Sequence, residues 1–328
     1  MTQQPRQRAA LNVVNPLPRA LHHYAHELHV LLDSLPDVRW DDVPVRSAEV
    51  GALGKVQKLR AAVRHLRLLR RVSGPSIELW PVLGHLESLG VRGPQTAVIH
   101  HDPVPIRAQA GYGAKAVRTG VLQANRVGMV AVAHSRAAER QLREFGYRRV
   151  FAVPHPILPP VERLAKSTSV VRVLGQFKPA RDLELLQSLG PQLRRLGYET
   201  EIVGRGWPDV NGWRVSDEFV GEEKLADLIA SAGAIVIPYR RYWQSGIAVR
   251  ALEASVPVVG VSGGFLDELY GDDTRLLVGE KADVSDWGER IDAAMRADPG
   301  ILFGHAARYH ESGRGAWRDL VRVLAYGS

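Results

Sequence analysis

The sequence predicts an α/β protein of two doubly wound domains, each a parallel sheet covered by helices on both faces. Three observations carry that prediction. Short apolar runs rich in Val and Ile alternate with helical patterns along the chain, and a proline-rich stretch interrupts the alternation near its middle. The 328 residues, 45% of them apolar, suffice for two cores of ordinary size. Alternation predicts parallel strands because a helix between two strands carries the chain back to the same end of the sheet.

In the first half, the opening strand candidate is 11–14, stopped by Asn15-Pro16-Leu17-Pro18, and residues 22–32 follow with helical spacing. A second helix is predicted over 53–72 and a short buried strand over 97–100. The strand Val130–Ala133 leads through Ser135, an N-cap residue type, into a helix over 136–145, and 150–153 is another strand. The segment 155–169, with Pro156, Pro159 and Pro160, reads as the linker between domains. A fresh series then begins, with strands Val170–Leu174, Glu199–Val203, Ala234–Ile237 and Val258–Val261 separated by helices over 182–196, 222–230 and 247–254. The expected domains are 1–160 and 161–304, with a C-terminal helix in 305–328 packing back on the first.

Composition excludes several chemistries. With no cysteine there are no disulfides, thiolate zinc sites, iron–sulfur clusters or cysteine nucleophiles. No apolar run reaches the roughly 18 residues that cross a bilayer, and the polar start lacks a signal-peptide core, so a cytoplasmic location is expected. The net charge of +8 favours an anionic partner. Seven basic and no acidic residues lie in 55–71, where Arg60, Arg64, Arg67 and Arg71 form one helical stripe beside Leu59, Ala62, Val63, Leu66 and Leu69. Such a helix either lies on anionic lipid, peripheral to the inner face of the plasma membrane, or covers a sheet with its arginines in water. Nucleic acid is not an expected partner, because charge alone would support it.

The strongest chemical constellation is Gln244-Ser245-Gly246-Ile247 at the start of a helix. Free backbone N–H groups and the helix dipole attract an anion there, and a glycine lets a phosphate approach. Glu253 lies two turns on, on the Gly246 face, where a carboxylate can accept ribose hydroxyls. The loop from Gly175 to Asp182 follows the first strand of the same domain, so Lys178 and Arg181 are expected at the same mouth, where ligands of doubly wound sheets bind. His22, His26 and His29 share one helical face, but no carboxylate apart from Glu27 completes a metal set, so surface or acceptor-facing histidines are the reading.

Over roughly 170–294 the chain resembles retaining GT-B glycosyltransferases of the family 4 type. The resemblance runs in order through the Gly175 to Arg181 loop, Ile202-Val203-Gly204-Arg205-Gly206, Phe219-Val220 with the following helix, Pro238-Tyr239, and the stretch from Ser245 to Val259. The first half is similar through Asn15-Pro16-Leu17-Pro18, His100-His101-Asp102, Val132-Ala133-His134-Ser135 and Val153-Pro154-His155-Pro156. The resemblance implies two Rossmann-like doubly wound domains facing across a cleft and transfer of a hexosyl group with retention, without an obligatory metal or other cofactor. It implies that Gly175, Ser245, Gly246, Ile247, Arg181 and Lys178 hold the donor diphosphate, that Glu253 holds the ribose, and that backbone near Phe219 and Val220 frames the base. His101 would face the donor sugar, and Asn15, Arg19 and His23 mark the side of a glycan or lipid-linked acceptor. Ser245 stands where the family has the first of two glutamates, and Gln176 where it has an arginine. Two other readings share the architecture: a nucleotide-sugar 2-epimerase, which turns over its donor without acceptor, and a catalytically silent membrane-associated partner, which binds donor without transfer.

Overall fold

The computed structural model describes residues 8–45, 54–105, 108–162, 168–239 and 242–327. The chain forms two compact units, 1–156 with 312–328, and 157–311.

In the first unit the elements are β1 Ala9–Val14, α1 His22–Asp33, β2 Val38–Asp42, α2 Lys55–Leu69, β3 Ser76–Glu78, the 3-10 helix Gly84–Leu89, β4 Thr96–Ile99, α3 Ala114–Val127, β5 Val130–Ala133, α4 Arg136–Glu144 and β6 Val150–Ala152. They build one parallel sheet in the order β2-β1-β3-β4-β5-β6. The chain moves one way from β1 to β2 and the other way from β3 onward, so the direction reverses between β1 and β3.

The second unit holds β7 Val170–Leu174, α5 Leu183–Arg195, β8 Glu199–Val203, β9 Arg214–Ser216, α6 Glu222–Ala230, β10 Ala234–Ile237, α7 Gly246–Glu253, β11 Val258–Val261, α8 Phe265–Tyr270, β12 Leu277–Val278 and α9 Val284–Met295. Its sheet is also parallel, in the order β12-β11-β10-β7-β8-β9, and reverses between β7 and β10. Every residue of β5 and β10 is buried, as strands covered on both faces require. The two doubly wound sheets predicted from the alternation are thus observed. Short polar strands such as β3, Ser-Ile-Glu, carried no apolar run and were not predicted.

Two elements differ from expectation. The predicted linker 155–169 is partly packed: Ile157 is 1% exposed in the second core, and the Leu158 and Val161 amides donate to Glu253. Its prolines stop a strand without freeing the chain, and residues 163–167 lie outside the described residues. The predicted helix 53–72 runs only from Lys55 to Leu69 among the described residues.

The last helix, α10, spans Pro299–Tyr326, and its residues from 312 count with the first unit. Trp317 is 0% exposed in that core and its indole donates to the Pro154 carbonyl at 2.9 Å, while Arg322 donates to Asp37 at 2.8 Å. Trp317→Ala is expected to cost about 3–5 kcal/mol of unfolding free energy, the range for losing a large buried aromatic. Denaturant unfolding checks it, and a loss below about 1 kcal/mol would mean the tail only rests on the unit.

Candidate functional site

In the second unit, the loops after β7 and β10 meet at the reversal point of the sheet. Gly175 leaves β7 with φ +92°, a left-handed conformation that favours glycine, and a Cβ there would lie 3.1 Å from the Arg181 guanidinium. Arg181 then pairs as an antiparallel bridge with Tyr239, just beyond β10, and the Asp182 amide donates to the Pro238 carbonyl at 2.7 Å. Asp182 caps α5 by accepting the Leu185 amide.

Arg181 is 7% exposed. Its Nε donates to the Tyr239 hydroxyl at 3.0 Å and its Nη2 to the Leu174 carbonyl at 2.8 Å, while the guanidinium lies 4.9 Å from the Trp207 ring and 4.8 Å from that of Tyr239. Burial lowers its pKa, yet an arginine keeps its charge. Trp207 is itself fixed by donating to the Gly175 carbonyl. The structure therefore presents Arg181 as a rigid, sandwiched cation, not the flexible loop charge its sequence neighbourhood suggests. Lys178 is the exposed member of the pair, three residues earlier in the same turn.

The loop after β10 ends at Ser245, whose extended backbone and hydroxyl cap α7 by accepting the Ala248 amide at 3.3 Å. Gly246 opens the helix, is exposed, and has no positive φ; a Cβ added there meets nothing within 4 Å. Neither backbone strain nor packing demands a glycine at this position. What it leaves is open space before the first helix amides, next to half-buried Ile247.

The loops after β8 and β9 open at the same end of the sheet. Phe219 is 75% exposed, with the Arg205 guanidinium 5.7 Å from its ring, and Val220 beside it is half-buried. Glu253 ends α7, about 10 Å along the helix from Gly246. Its Oε1 accepts the Leu158 amide at 2.8 Å, so this carboxylate also docks the chain entering the unit, a partner that helical spacing does not disclose. A cavity of about 470 Å³ adjoins the Arg181–Tyr239 bridge: Asp182, Pro238 and Tyr239 line it together with Glu184, Glu280 and Asp283, and without any Lys or Arg it has the wrong charge for a phosphate.

In the first unit, Asn15 and Arg19 follow β1 at the reversal point; the Asn15 side chain accepts the Leu17 amide and Arg19 is exposed. His23 lies 2.9 Å from the Glu27 carboxylate, itself 1% exposed. His101 is 3% exposed, its Nε2 is 2.9 Å from the Leu79 carbonyl, and its ring stacks on Trp80 and meets Tyr24 edge-on. His134 and His155, with Tyr24, extend this nest; His134 lies 2.9 Å from the Tyr24 hydroxyl. Burial pushes His134 well below the ordinary histidine range and His155 down to about 3, so both are neutral at pH 7 and suit hydroxyl partners better than anions. Sequence reasoning assigned them no role, although both stand just beyond a strand end and within the motifs that carry the resemblance.

His22 and His26 are exposed and His29 stacks on Trp40, so these three histidines do not form a metal group among the described residues. On α2, Arg60, Arg64 and Arg67 are exposed, as is Arg71 just past its end. The expected apolar stripe divides: Ala62 and Leu69 are buried, Leu66 is half-buried, while Leu59 at 65% and Val63 at 39% join Val56 at 63% in solvent. The helix is anchored through Ala61, Ala62, His65 and Leu69, leaving Val56, Leu59 and Val63 outside.

No protein-family model matches the chain, and no curated protein matches it in sequence. Solved structures do match along nearly its whole length. The N-terminal domain of Candida albicans trehalose-6-phosphate phosphatase aligns with TM-score 0.64 at 9% identity, over 97% of this chain and 100% of its own. The Anabaena protein HepE, in complex with UDP and glucose, aligns with TM-score 0.63 at 12% identity, over 98% and 99%. An E. coli trehalose-6-phosphate protein bound with UDP-2-fluoro glucose aligns with TM-score 0.63 at 9% identity, over 95% and 99%. The fold is that of the GT-B glycosyltransferases. At these identities the GT-B likeness is one of fold, and the residues of the site have to carry any chemistry by themselves.

Proposed function

We propose that this chain is a glycosyltransferase that moves a hexosyl group, with retention, from a nucleotide diphosphate sugar to a glycan or lipid-linked acceptor. One observation carries the reading: the Arg181–Tyr239 bridge joins the basic loop after β7 to the loop that delivers the glycine-led start of α7. Two sources of positive potential, helix amides and a fixed guanidinium, thereby share the crevice where doubly wound sheets bind nucleotides. As the glycosidic bond lengthens, negative charge grows on the diphosphate, and preorganised donors stabilise it more than the ground state. Lys178 supplies a second, exposed cation. Phe219 offers an open face for the base. No metal ion is required for this step, and no general base is needed when the departing diphosphate itself lies beside the acceptor.

A thermal-shift panel of UDP-, GDP-, ADP- and dTDP-sugars tests the reading. UDP-sugars are the first candidates, because UDP and UDP-2-fluoro glucose occur in the HepE and E. coli structures. A donor at 100 times its Kd is expected to add about 2.7 kcal/mol of stability; no shift with any of the four overturns the proposal. Gly246→Ala sharpens the test. It should leave the donor-free midpoint unchanged or slightly raised, since alanine is the better helix former, while abolishing the donor-induced shift. An unchanged shift would remove Gly246 from the site. Ser245 supports one further reading: its hydroxyl is used by its own helix, so it does not replace the missing glutamate, and donor binding with no transfer to any acceptor would mark a silent partner protein.

The exposed apolar and basic residues of α2 support an acceptor held at a membrane. Val56, Leu59 and Val63 would enter the acyl boundary while Arg60, Arg64 and Arg67 meet anionic headgroups. Vesicles rich in acidic lipid should retain the protein at low salt, and Leu59→Ser with Val63→Ser should release it. Equal retention by neutral vesicles would refute the membrane part and leave the donor site untouched.

A further inference from the structure

At the carboxyl end of β3, the first unit buries two carboxylates against one imidazole. His65 comes from α2, Glu78 ends the interior strand β3, and Glu87 lies in the 3-10 helix 84–89. Their side chains are 3%, 0% and 1% exposed. Nε2 of His65 contacts Oε1 of Glu78 and lies 3.2 Å from Oε1 of Glu87, and one ligand atom from each residue falls within 4.8 Å of the others.

Packing holds the three there. The 3-10 helix is pressed on α3 at Gly120, where a Cβ would come within 2.0 Å of the His85 carbonyl oxygen. At its end, Gly90 lets Leu66 and Leu69 of α2 close in, with a Cβ there 3.0 Å from Leu66. A cluster fixed from three elements does not relax away from an unfavourable charge.

Its hydrogen bonds do not satisfy it. Oε2 of Glu87 accepts the Leu83 amide at 2.7 Å and Oε1 of Glu78 takes His65, but Oε2 of Glu78 and Oε1 of Glu87 have no hydrogen-bond partner among the described residues. A single imidazole N–H points along one line and does not serve two carboxylates at once. A fully buried carboxylate is paired, takes up a proton or coordinates a cation, and two of them on one imidazole leave the last two choices. A divalent ion brings two positive charges to two negative ones and takes a lone pair from each of three groups that already converge. Ligand atoms around a tetrahedral ion with bonds near 2.1 Å are about 3.4 Å apart, close to the His65–Glu87 separation of 3.2 Å; the direct His65–Glu78 contact would have to open to admit the ion.

We propose that His65, Glu78 and Glu87 bind a divalent first-row transition metal of the Zn²⁺ class, which ties α2 and the 3-10 helix to the sheet of the first unit. One nitrogen and two carboxylates suit such an ion better than Ca²⁺, which takes six to eight oxygens. The three residues belong to the first unit and Arg181 and Gly246 to the second, and the metal site stands or falls independently of the glycosyltransferase reading.

The test uses the full chain. It is unfolded in chelator, refolded with or without Zn²⁺, passed over a desalting column, and analysed for metal content and thermal midpoint. About one equivalent of zinc per chain and a higher midpoint are expected after refolding with Zn²⁺. Glu87→Gln, nearly isosteric, should retain less than about a tenth of that zinc and lose the zinc-dependent gain. Refolding with Co²⁺ gives a measurement that does not depend on the variant: visible d–d bands of a four- or five-coordinate nitrogen–oxygen site are expected. Wild-type chain that refolds equally well without zinc, retains none and shows no cobalt bands overturns the proposal, as does full zinc retention by Glu87→Gln.

Discussion

Arg181→Ala is expected to lower sugar-transfer turnover by about 10²-fold or more, the loss typical of removing one preorganised charge contact from a developing anion. The guanidinium is already paid for in the free protein: Tyr239, Trp207 and the Leu174 carbonyl hold it in place, so little reorganisation remains for the reaction. The effect should fall mainly on kcat, with KM changing less, because the interaction strengthens as the leaving group acquires charge. The same contacts mean that the alanine variant also loses packing between two aromatic rings, and a lower thermal midpoint is expected. Assays at a temperature where the variant is folded separate the two effects. Arg181→Lys keeps the charge but not the planar fork, and should recover part of the midpoint and only part of kcat. Near-normal turnover in folded Arg181→Ala protein would refute the role.

Acid should unfold the first unit well before carboxylate titration alone would do so. His100, His134 and His155 are buried and neutral: burial is the leading cause at each, with nearby histidines adding to it. In the unfolded chain they titrate near 6.5, so protonation favours the unfolded state. Their contribution is complete above about pH 6.5 and is lost as pH falls below it, at about 1.4 kcal/mol per pH unit for each group. Glu78, which burial and then Glu87 push up to about 8, has the opposite sign when no cation is bound and offsets roughly one of the three. The net loss between pH 6.5 and 5 is on the order of 4 kcal/mol, a large share of the stability of an ordinary domain. Thermal midpoints measured across that range check it, and a flat profile would mean the histidines are solvated. His100 is the informative variant, because neither of its ring nitrogens has a hydrogen-bond partner among the described residues. His100→Phe keeps a ring against His85 and Tyr147 and should flatten the profile by about one proton.

Much of the candidate crevice could be found from local pattern. Val170–Leu174 and Ala234–Ile237 are uninterrupted apolar runs apart from Arg172, and Gly175 and Ser245-Gly246 sit where a strand must turn into a loop or helix. What remained hidden is what the side chains do there. Arg181 and Tyr239 are 58 positions apart, and no periodicity links them. The same holds for Glu253, which meets Leu158 across 95 positions.

By itself the sequence determined two doubly wound parallel sheets, the place along the chain of most of their strands, and the glycines and cations near the ends of β7 and β10 that it singled out: Gly175, Lys178, Arg181 and Gly246. These follow from hydrophobic period, proline and glycine, which act over a few residues. Only the tertiary structure decided that Arg181 is a sandwiched cation, that Ile157 belongs to the second core, that Leu59 and Val63 stay in solvent, and that His65, Glu78 and Glu87 share one buried point. Each of those depends on which strands become neighbours and on what burial does to a charge, and both are set by contacts between residues distant in the chain.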